Sequence, residues 1–401
     1  MIKINRLNTA FEIAKRISFY KQKNYTRFIV RLSIAATAIS VAAILLTFSI
    51  VNGFQSTISN KVYSFWGHIQ IASVNGNTLS ENPNFLQQIK SIPEIQSASP
   101  YLNQTMVLAK DIEIEGLNAK GIADFTMIPN LSKGRCIQTD PQTSAKEIVL
   151  SKLIATKLHI DTGDQVKLYV LQNGAVQERK LIVVGLFHTG IEEYDLRNVF
   201  VDLKLLQQLI QEPSAITGYQ IDLKDINTID RTQEKLQSSL PENWVSSASA
   251  DVYPQLFDWI KVQSINRNIT IVIMLFIAIV NLITCLLILI LERVPMIGGL
   301  TAMGASHQMI RKVFVYQASF ITWMGIGFGV FLGLGISLIQ LKFQWIHLDE
   351  SAYLIDVLPI LIDPLQVLGV IVGTALLSYL SFLIPTIWIK KMSPAKAVRF
   401  D

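Results

Sequence analysis

Charged side chains are scarce in this sequence. Only 16% of its 401 residues are Asp, Glu, Lys or Arg, while 50% are hydrophobic and the mean hydropathy is +0.39. An average soluble domain carries about 25% charged residues, so the chain lacks the polar surface that a water-exposed fold of this length needs. Cysteine is nearly absent. With two, Cys136 and Cys285, a disulfide-stapled scaffold is excluded. No G-x-x-x-x-G-K run followed by Ser or Thr is present, so the chain has no phosphate cradle of its own. H-E-x-x-H, C-x-x-C and G-x-S-x-G are also missing, and His68, His159, His188, His307 and His347 are scattered. An enzyme reading therefore has no residues to stand on. There is no low-complexity segment and no internal repeat.

What is present is apolar and concentrated. Four runs, at 28–55, 267–291, 313–340 and 365–388, are each long enough to cross a bilayer, whose roughly 30 Å of hydrocarbon takes about 20 helical residues. None has an ionisable residue near its centre, which excludes an intramembrane proton relay; Arg31 stands near the start of the first run, where it snorkels to the interface. The first run begins too late and is too long for a signal-peptide core, and it offers no small-x-small cleavage site, so it reads as a retained anchor. Gly325, Gly327, Gly329, Gly333 and Gly335 lie inside the third run, where small residues permit close helix packing.

Charge sets the expected orientation. The 1–27 arm carries Lys3, Arg6, Lys15, Arg16, Lys21, Lys23 and Arg27 against Glu12. The 292–312 loop has Arg293, Arg311 and Lys312, and the 389–401 tail has Lys390, Lys391, Lys396 and Arg399. The 341–364 loop is acidic instead, with Asp349, Glu350, Asp356 and Asp363. Both termini and the 292–312 loop are thus expected in the cytoplasm, and 56–266 outside. The net charge of +5 sits mostly on these flanks, so no nucleic-acid partner is needed to explain it. The 1–27 arm fits two readings, an amphipathic helix along the headgroups through Ile4, Leu7, Phe11, Ala14 and Ile17, or a solvated basic arm.

The outer segment alternates in strand fashion at 67–74, 104–110, 111–121, 165–172 and 176–186, with short helices over 83–92, 151–158, 203–211 and 228–239. Asn173-Gly174 is a hairpin signal between two of these strands. The fold class is therefore a membrane α-helical protein of four transmembrane helices, with a large mixed α+β periplasmic domain inserted between the first and second. Within 56–266 two subdomains are expected, an outer insertion at about 122–213 and an inner one around it. Cys136 falls in this domain and Cys285 in the second span, so they cannot pair within one chain.

Three segments carry more than hydropathy. In Glu292-Arg-Val-Pro-Met-Ile-Gly-Gly-Leu-Thr-Ala-Met-Gly-Ala305, Pro295 suits a first helical turn and Gly304 a helix end. Met296, Ile297, Leu300 and Met303 then make an apolar face that fits two readings, one exposed and in need of a partner, the other an ordinary connector packed against the bilayer. Asn52-Gly53-Phe54 closes the first run, where Asn-Gly fits a helix end. The third is the basic tail Ser-Pro-Ala-Lys-Ala-Val-Arg ending at Arg399.

Together these resemble permeases of the LolC/LolE type, within the wider superfamily of FtsX and MacB. The Glu292–Ala305 run is similar to that superfamily's coupling-helix motif. The Asn52–Phe54 exit, the 147–164 stretch, the 193–202 stretch and the tail are similar to the lipoprotein-releasing branch. Val294, Pro295 and Met296 depart from the charged or polar residues that members often place there, which implies a more apolar contact.

The resemblance implies a non-catalytic permease subunit that binds no cofactor, with ATP and Mg held by a LolD-like ATPase dimer in the cytoplasm. It also implies a second permease copy or paralogue, a lipoprotein substrate and a LolA-like periplasmic chaperone. Glu292, Arg293, Met296, Ile297, Gly298, Leu300, Met303 and Gly304 would meet the ATPase. Phe48, Val51, Phe54, Ile265, Ile269 and Val272 would line an acyl-chain cavity, although apolar residues at that depth fit lipid equally well. Other members of the superfamily export peptides or small molecules, or regulate a cell-wall hydrolase.

Overall fold

The computed structural model describes residues 11–14, 24–128, 130–172 and 175–382. Helix α1 (Asn24–Trp66) runs without a break through the first apolar stretch. It stops at Gly67, whose φ of 71° belongs to the left-handed region. The outer segment then supplies β1 (Ile69–Ser73), β2 (Leu79–Ser80), α2 (Pro83–Lys90), β3 (Ile95–Lys110), β4 (Glu113–Ile122), β5 (Leu131–Gly134), β6 (Glu147–Ser151) and α3 (Lys152–Lys157). After these come β7 (Gln165–Gln172), β8 (Ala175–Phe187), α4 (Glu192–Asp195), β9 (Asn198–Asp202), α5 (Leu203–Leu209), β10 (Ala215–Ile216), β11 (Gly218–Leu223), α6 (Ile229–Ser239) and β12 (Trp244–Ala248). The longer helices that follow are α7 (Pro254–Glu292), α8 (Val294–Ala302), α9 (His307–Phe343) and α10 (Pro364–Ser381).

The local rules explain most boundaries. Asn82 caps α2 by accepting from the N–H groups of Asn84 and Phe85, Ser151 caps α3 through Ile154 N–H, and Asp202 caps α5 through Lys204 N–H. Hydropathy marked only the apolar windows of α1 and α7. Each helix runs further, to Trp66 and back to Pro254, because nothing in 56–61 or 256–268 breaks a helix. Among the described residues, four helices are long and apolar enough to cross a membrane. The 1–27 arm falls mostly outside the described residues. Its helical 11–14 piece packs Phe11 edge-on against Tyr316 and Ala14 against Val313. Residues 383–401, with the last turn of the fourth run and the tail, and the turn residues Asn173 and Gly174 also lie outside.

The chain divides into two compact units, one of residues 1–55, 261–347 and 357–401, the other of 56–260 and 348–356. In the second, the sheet order is β12-β1-β11-β3-β4-β9-β6-β8-β5, with β7 bonded to both β3 and β8. The pairings β3-β4-β9-β6-β8-β7 therefore return to β3 and close a six-stranded ring, parallel at β4/β9 and β6/β8 and antiparallel elsewhere. Closure leaves those strands no open edge. This corrects the expected division at 122 and 213. The supposed insertion uses β3 and β4 as its own staves, and one buried cluster runs from Ile69 and Leu102 through Leu150 and Val183 to Leu236. A split there would have parted β3 and β4 from the other four staves.

Residues 348–356 were expected only as part of a short loop, yet they belong to this outer unit. His188 holds them: its Nδ1 is 2.9 Å from Asp195 Oδ2 and its Nε2 is 3.0 Å from Glu350 Oε1. Lys61 Nζ donates to Leu354 O at 2.7 Å. Burial pushes the Lys61 amine down, while Glu350 and Asp195 pull it back up.

Candidate functional site in the membrane unit

The short helix α8 is set off from α7 by Arg293, its N-cap residue, and Pro295 occupies its first turn. Its end is a Schellman motif. Gly304, at φ 85°, donates to Thr301 O at 3.0 Å, and Ala305 donates to Leu300 O at 2.9 Å. The faces are not those read from spacing alone. Ile297 is only 3% exposed, and with half-buried Met296 and Leu300 it packs on Leu286, Ile290, Ile310 and Phe314. Three of the four residues expected to await a partner, Met296, Ile297 and Leu300, thus form the helix's inner face, and Met303 does not share it. It is satisfied by α7 and α9, because a nine-residue helix between two long ones buries its apolar stripe against them. Gly298 is also buried, whereas Pro295, Gly299, Ala302 and Met303 point outward, Met303 with 78% of its surface exposed. Glu292 closes α7.

Asn52-Gly53-Phe54 is not a helix end either. All three residues sit inside α1, and a Cβ on Gly53 would stand 2.5 Å from the carbonyl oxygen of Pro359. Glycine is required there by close approach of another backbone. Asn52 ties the same point together, with Nδ2 donating to Gln366 Oε1 at 2.5 Å and Oδ1 accepting from Arg267 Nη1 at 2.8 Å. Leu361 N donates to Ser49 O at 3.0 Å. Gln55 donates to Ser264 Oγ. Helices α1, α7 and α10 and the segment leading into α10 thus converge on one polar knot at the end of an apolar run.

Of the six residues expected in an acyl cavity, Phe48 lines one. A cavity of about 340 Å³ lies between Ile44 and Phe48 of α1, Ile271 and Leu275 of α7, and Val370 and Gly373 of α10. Arg267 lies 5.6 Å from the Phe48 ring centroid. Val51 and Phe54 are half-buried. Ile265, Ile269 and Val272 face the other way, exposed on one stripe of α7 with Phe276. Their spacing of three and four puts them on a single helix face, and Ile271 and Leu275 are on another. Sequence reading missed Arg267 and Gln366. Their signal was a polar side chain abutting a long apolar run, which calls for a partner.

The glycine stripe does pack. Cβ atoms on Gly325, Gly329 and Gly333 would stand 2.7 Å from Thr37, 2.7 Å from Ala38 O and 3.2 Å from Leu45, all on α1, whereas Gly327 and Gly335 face open space. Both cysteines are free, and among the described residues no cluster of three or more His, Cys, Asp or Glu side chains is placed to hold a metal ion.

Comparison with known proteins gives the geometry a context. Residues 32–239 match the family model of the MacB-like periplasmic core domain, and 268–394 match the FtsX-like permease C-terminal. The chain is similar to the lipoprotein-releasing system transmembrane protein LolC of Neisseria meningitidis serogroup B, with 25% identity over 95% of this chain and 96% of that one. LolC of Buchnera aphidicola subsp. Schizaphis graminum is 24% identical over 93% and 94%. LolE of Haemophilus influenzae is 23% identical over 98% and 99%.

Proposed function

We propose, since this chain belongs to the permease family that joins a MacB-like periplasmic core domain to an FtsX-like C-terminal domain, that it releases lipoproteins from the outer leaflet of the inner membrane. The observation that carries this reading is the end-to-end match to lipoprotein-releasing permeases, which leaves neither the outer unit nor the C-terminal helices unaccounted for. In this reading both termini and α8 lie in the cytoplasm and the ringed sheet lies in the periplasm.

ATP and Mg are held by a separate LolD-like ATPase dimer. It pushes on the outward face of α8, where Pro295, Gly299, Ala302 and Met303 stand. Met296, Ile297 and Leu300 act differently: packed on α7 and α9, they pass the push to those helices. The stroke has a large load. At about 0.8 kcal/mol per buried CH₂, moving several acyl chains into water costs tens of kcal/mol. Direct transfer to a LolA-like chaperone pocket avoids most of it. The cavity beside Phe48 takes part of an acyl chain, and the exposed stripe Ile265, Ile269, Val272 of α7 meets a second permease copy or a paralogue.

Depleting the protein and fractionating palmitate-labelled lipoproteins tests the function: they are expected to accumulate in the inner membrane, and normal delivery to the outer membrane sinks the reading. For coupling, Met303→Glu is the discriminating variant because its side chain is exposed. Substrate-stimulated ATP hydrolysis in the reconstituted complex should fall about tenfold, a barrier change of about 1.4 kcal/mol. Unchanged stimulation removes Met303 from the contact.

A further inference from the structure

The outer unit contains a second cavity, of about 330 Å³, walled by the stacked rings of Trp66 and Tyr253 and floored by Lys120. Strand alternation explains how a lysine comes to lie there. Leu117 and Ala119 of β4 face the main core, so Asn118 and Lys120 face the opposite side of the sheet. Lys120 is only 5% exposed. Its Nζ donates to Phe65 O at 2.5 Å and Gln220 Oε1 at 2.8 Å, and lies 5.3 Å from the Tyr101 ring. Both hydrogen-bond partners are neutral, and among the described residues no carboxylate stands within ion-pair distance. A buried cation without an anion is costly and is retained where something completes it.

A second group in the same cavity is also incomplete. Tyr194 is 6% exposed, and its hydroxyl has no hydrogen-bond partner among the described residues. With Arg197 on the rim, the polar groups of the pocket are weighted toward donors. They ask for an acceptor-rich ligand. Glu193, also on the rim, opposes a doubly charged anion such as phosphate and favours a single carboxylate. The volume exceeds a bare carboxylate, and the ring wall suits the flanking atoms of a polypeptide.

We infer that this pocket binds an acidic residue of a polypeptide, its carboxylate received by Lys120 and the Tyr194 hydroxyl. Burial pushes the Lys120 amine down to about 7, with Asp222 pulling the other way. The other titratable groups lining the cavity are Tyr101, Tyr194, Tyr253, Glu193 and Arg197. Burial holds the three phenols above their ordinary range, so between pH 6 and 9 Lys120 is the group that changes charge. A carboxylate ligand binds its ammonium form and is released as pH rises.

The test uses the full chain in detergent and calorimetric titration with a capped Ser-Glu-Ser peptide, its Ser-Gln-Ser counterpart and inorganic phosphate. The glutamate peptide should bind about tenfold more tightly than the glutamine one at pH 6, and the preference should vanish by pH 9. Lys120→Met should abolish it. Tyr194→Phe, which deletes only an unpartnered hydroxyl, should weaken the glutamate peptide about threefold while leaving the circular dichroism unchanged. Equal binding of the two peptides, a preference that stays undiminished in either variant, or tighter binding of phosphate overturns the inference. Binding is read directly, so its failure leaves the lipoprotein reading standing.

Discussion

In the outer unit Leu102, Met106 and Leu108 of β3 are sealed from solvent, whereas Phe276, Phe331 and Leu365 of the membrane unit expose 66%, 75% and 76% of their surface. The outer unit gathers many of its apolar residues into one large cluster that spans ring strands as well as β1, β11 and α6. The membrane unit divides its own among several small clusters, among them Leu282–Phe314, Ile29–Ile321 and Val41–Ile326. The solvents differ. Water drives burial in the first, while lipid tails are as apolar as leucine and give helices no such push. What holds the helices is close approach at Gly53, Gly325, Gly329 and Gly333, together with polar ties such as Asn52 to Arg267 and Gln366.

Substitutions of the same size should therefore have unequal consequences at packed and at open positions of one membrane helix. The largest expected effect is Gly329→Leu, which drives a side chain into Ala38 O and Val41 and should cost about 3 kcal/mol. Gly327→Leu, two residues away in open space, should change stability by less than about 0.5 kcal/mol. Thermal unfolding in detergent separates them, and equal losses would mean that glycine packing is not what holds α9 to α1.

Next comes the outer unit's buried ion pair. Burial pushes the Glu147 carboxyl up, but the Arg135 guanidinium 2.5 Å away and the Gln138 N–H outweigh it and hold it below the ordinary range. Arg135→Met strands that carboxylate. Because Arg135 is half exposed, the loss should be about 2 kcal/mol, under the range for a fully buried pair. Denaturant titration at pH 7 measures it, and a loss below about 0.5 kcal/mol would show the pair to be ornamental.

Lys120 gives an effect that depends on pH and is smaller than these over any single pH unit. Its folded pKa of about 7 lies below the ordinary lysine value of 10.5, so between those two values the unfolded chain binds more protons. Stability then rises with pH across that window, by up to about 1.4 kcal/mol per unit. Lys120→Met should remove that slope, and identical pH profiles for the two proteins would refute the burial argument. Smallest of all is Met303→Ser, with a change within about 0.5 kcal/mol despite the loss of coupling expected at that exposed position. A larger loss would place Met303 in the core.

Much of this was legible locally. Alternation located β1, β4, β7, β8 and the second half of β3 but not the short β2, β5 and β10, and Pro295 and Gly304 bracketed α8. The candidate site was legible only in part. Met296, Ile297 and Leu300 were recognised as one face, but periodicity gives a face and not its direction. Gly53 resembled a helix end because glycine serves both helix ends and close contacts, and the contact lies some 300 residues downstream at Pro359.

Composition and period thus determined the membrane character, the element types and the small-residue stripe, since each depends on neighbours within a turn or two of chain. Tertiary structure alone decided the closure of β3, β4 and β6–β9 into a ring. It also decided the inward turn of Ile297, the meeting of Asn52 with Arg267 and Gln366, and the placing of Lys120 beneath Trp66. Those depend on pairings between residues tens to hundreds apart, which hydropathy does not encode. They are fixed when a buried donor finds its acceptor.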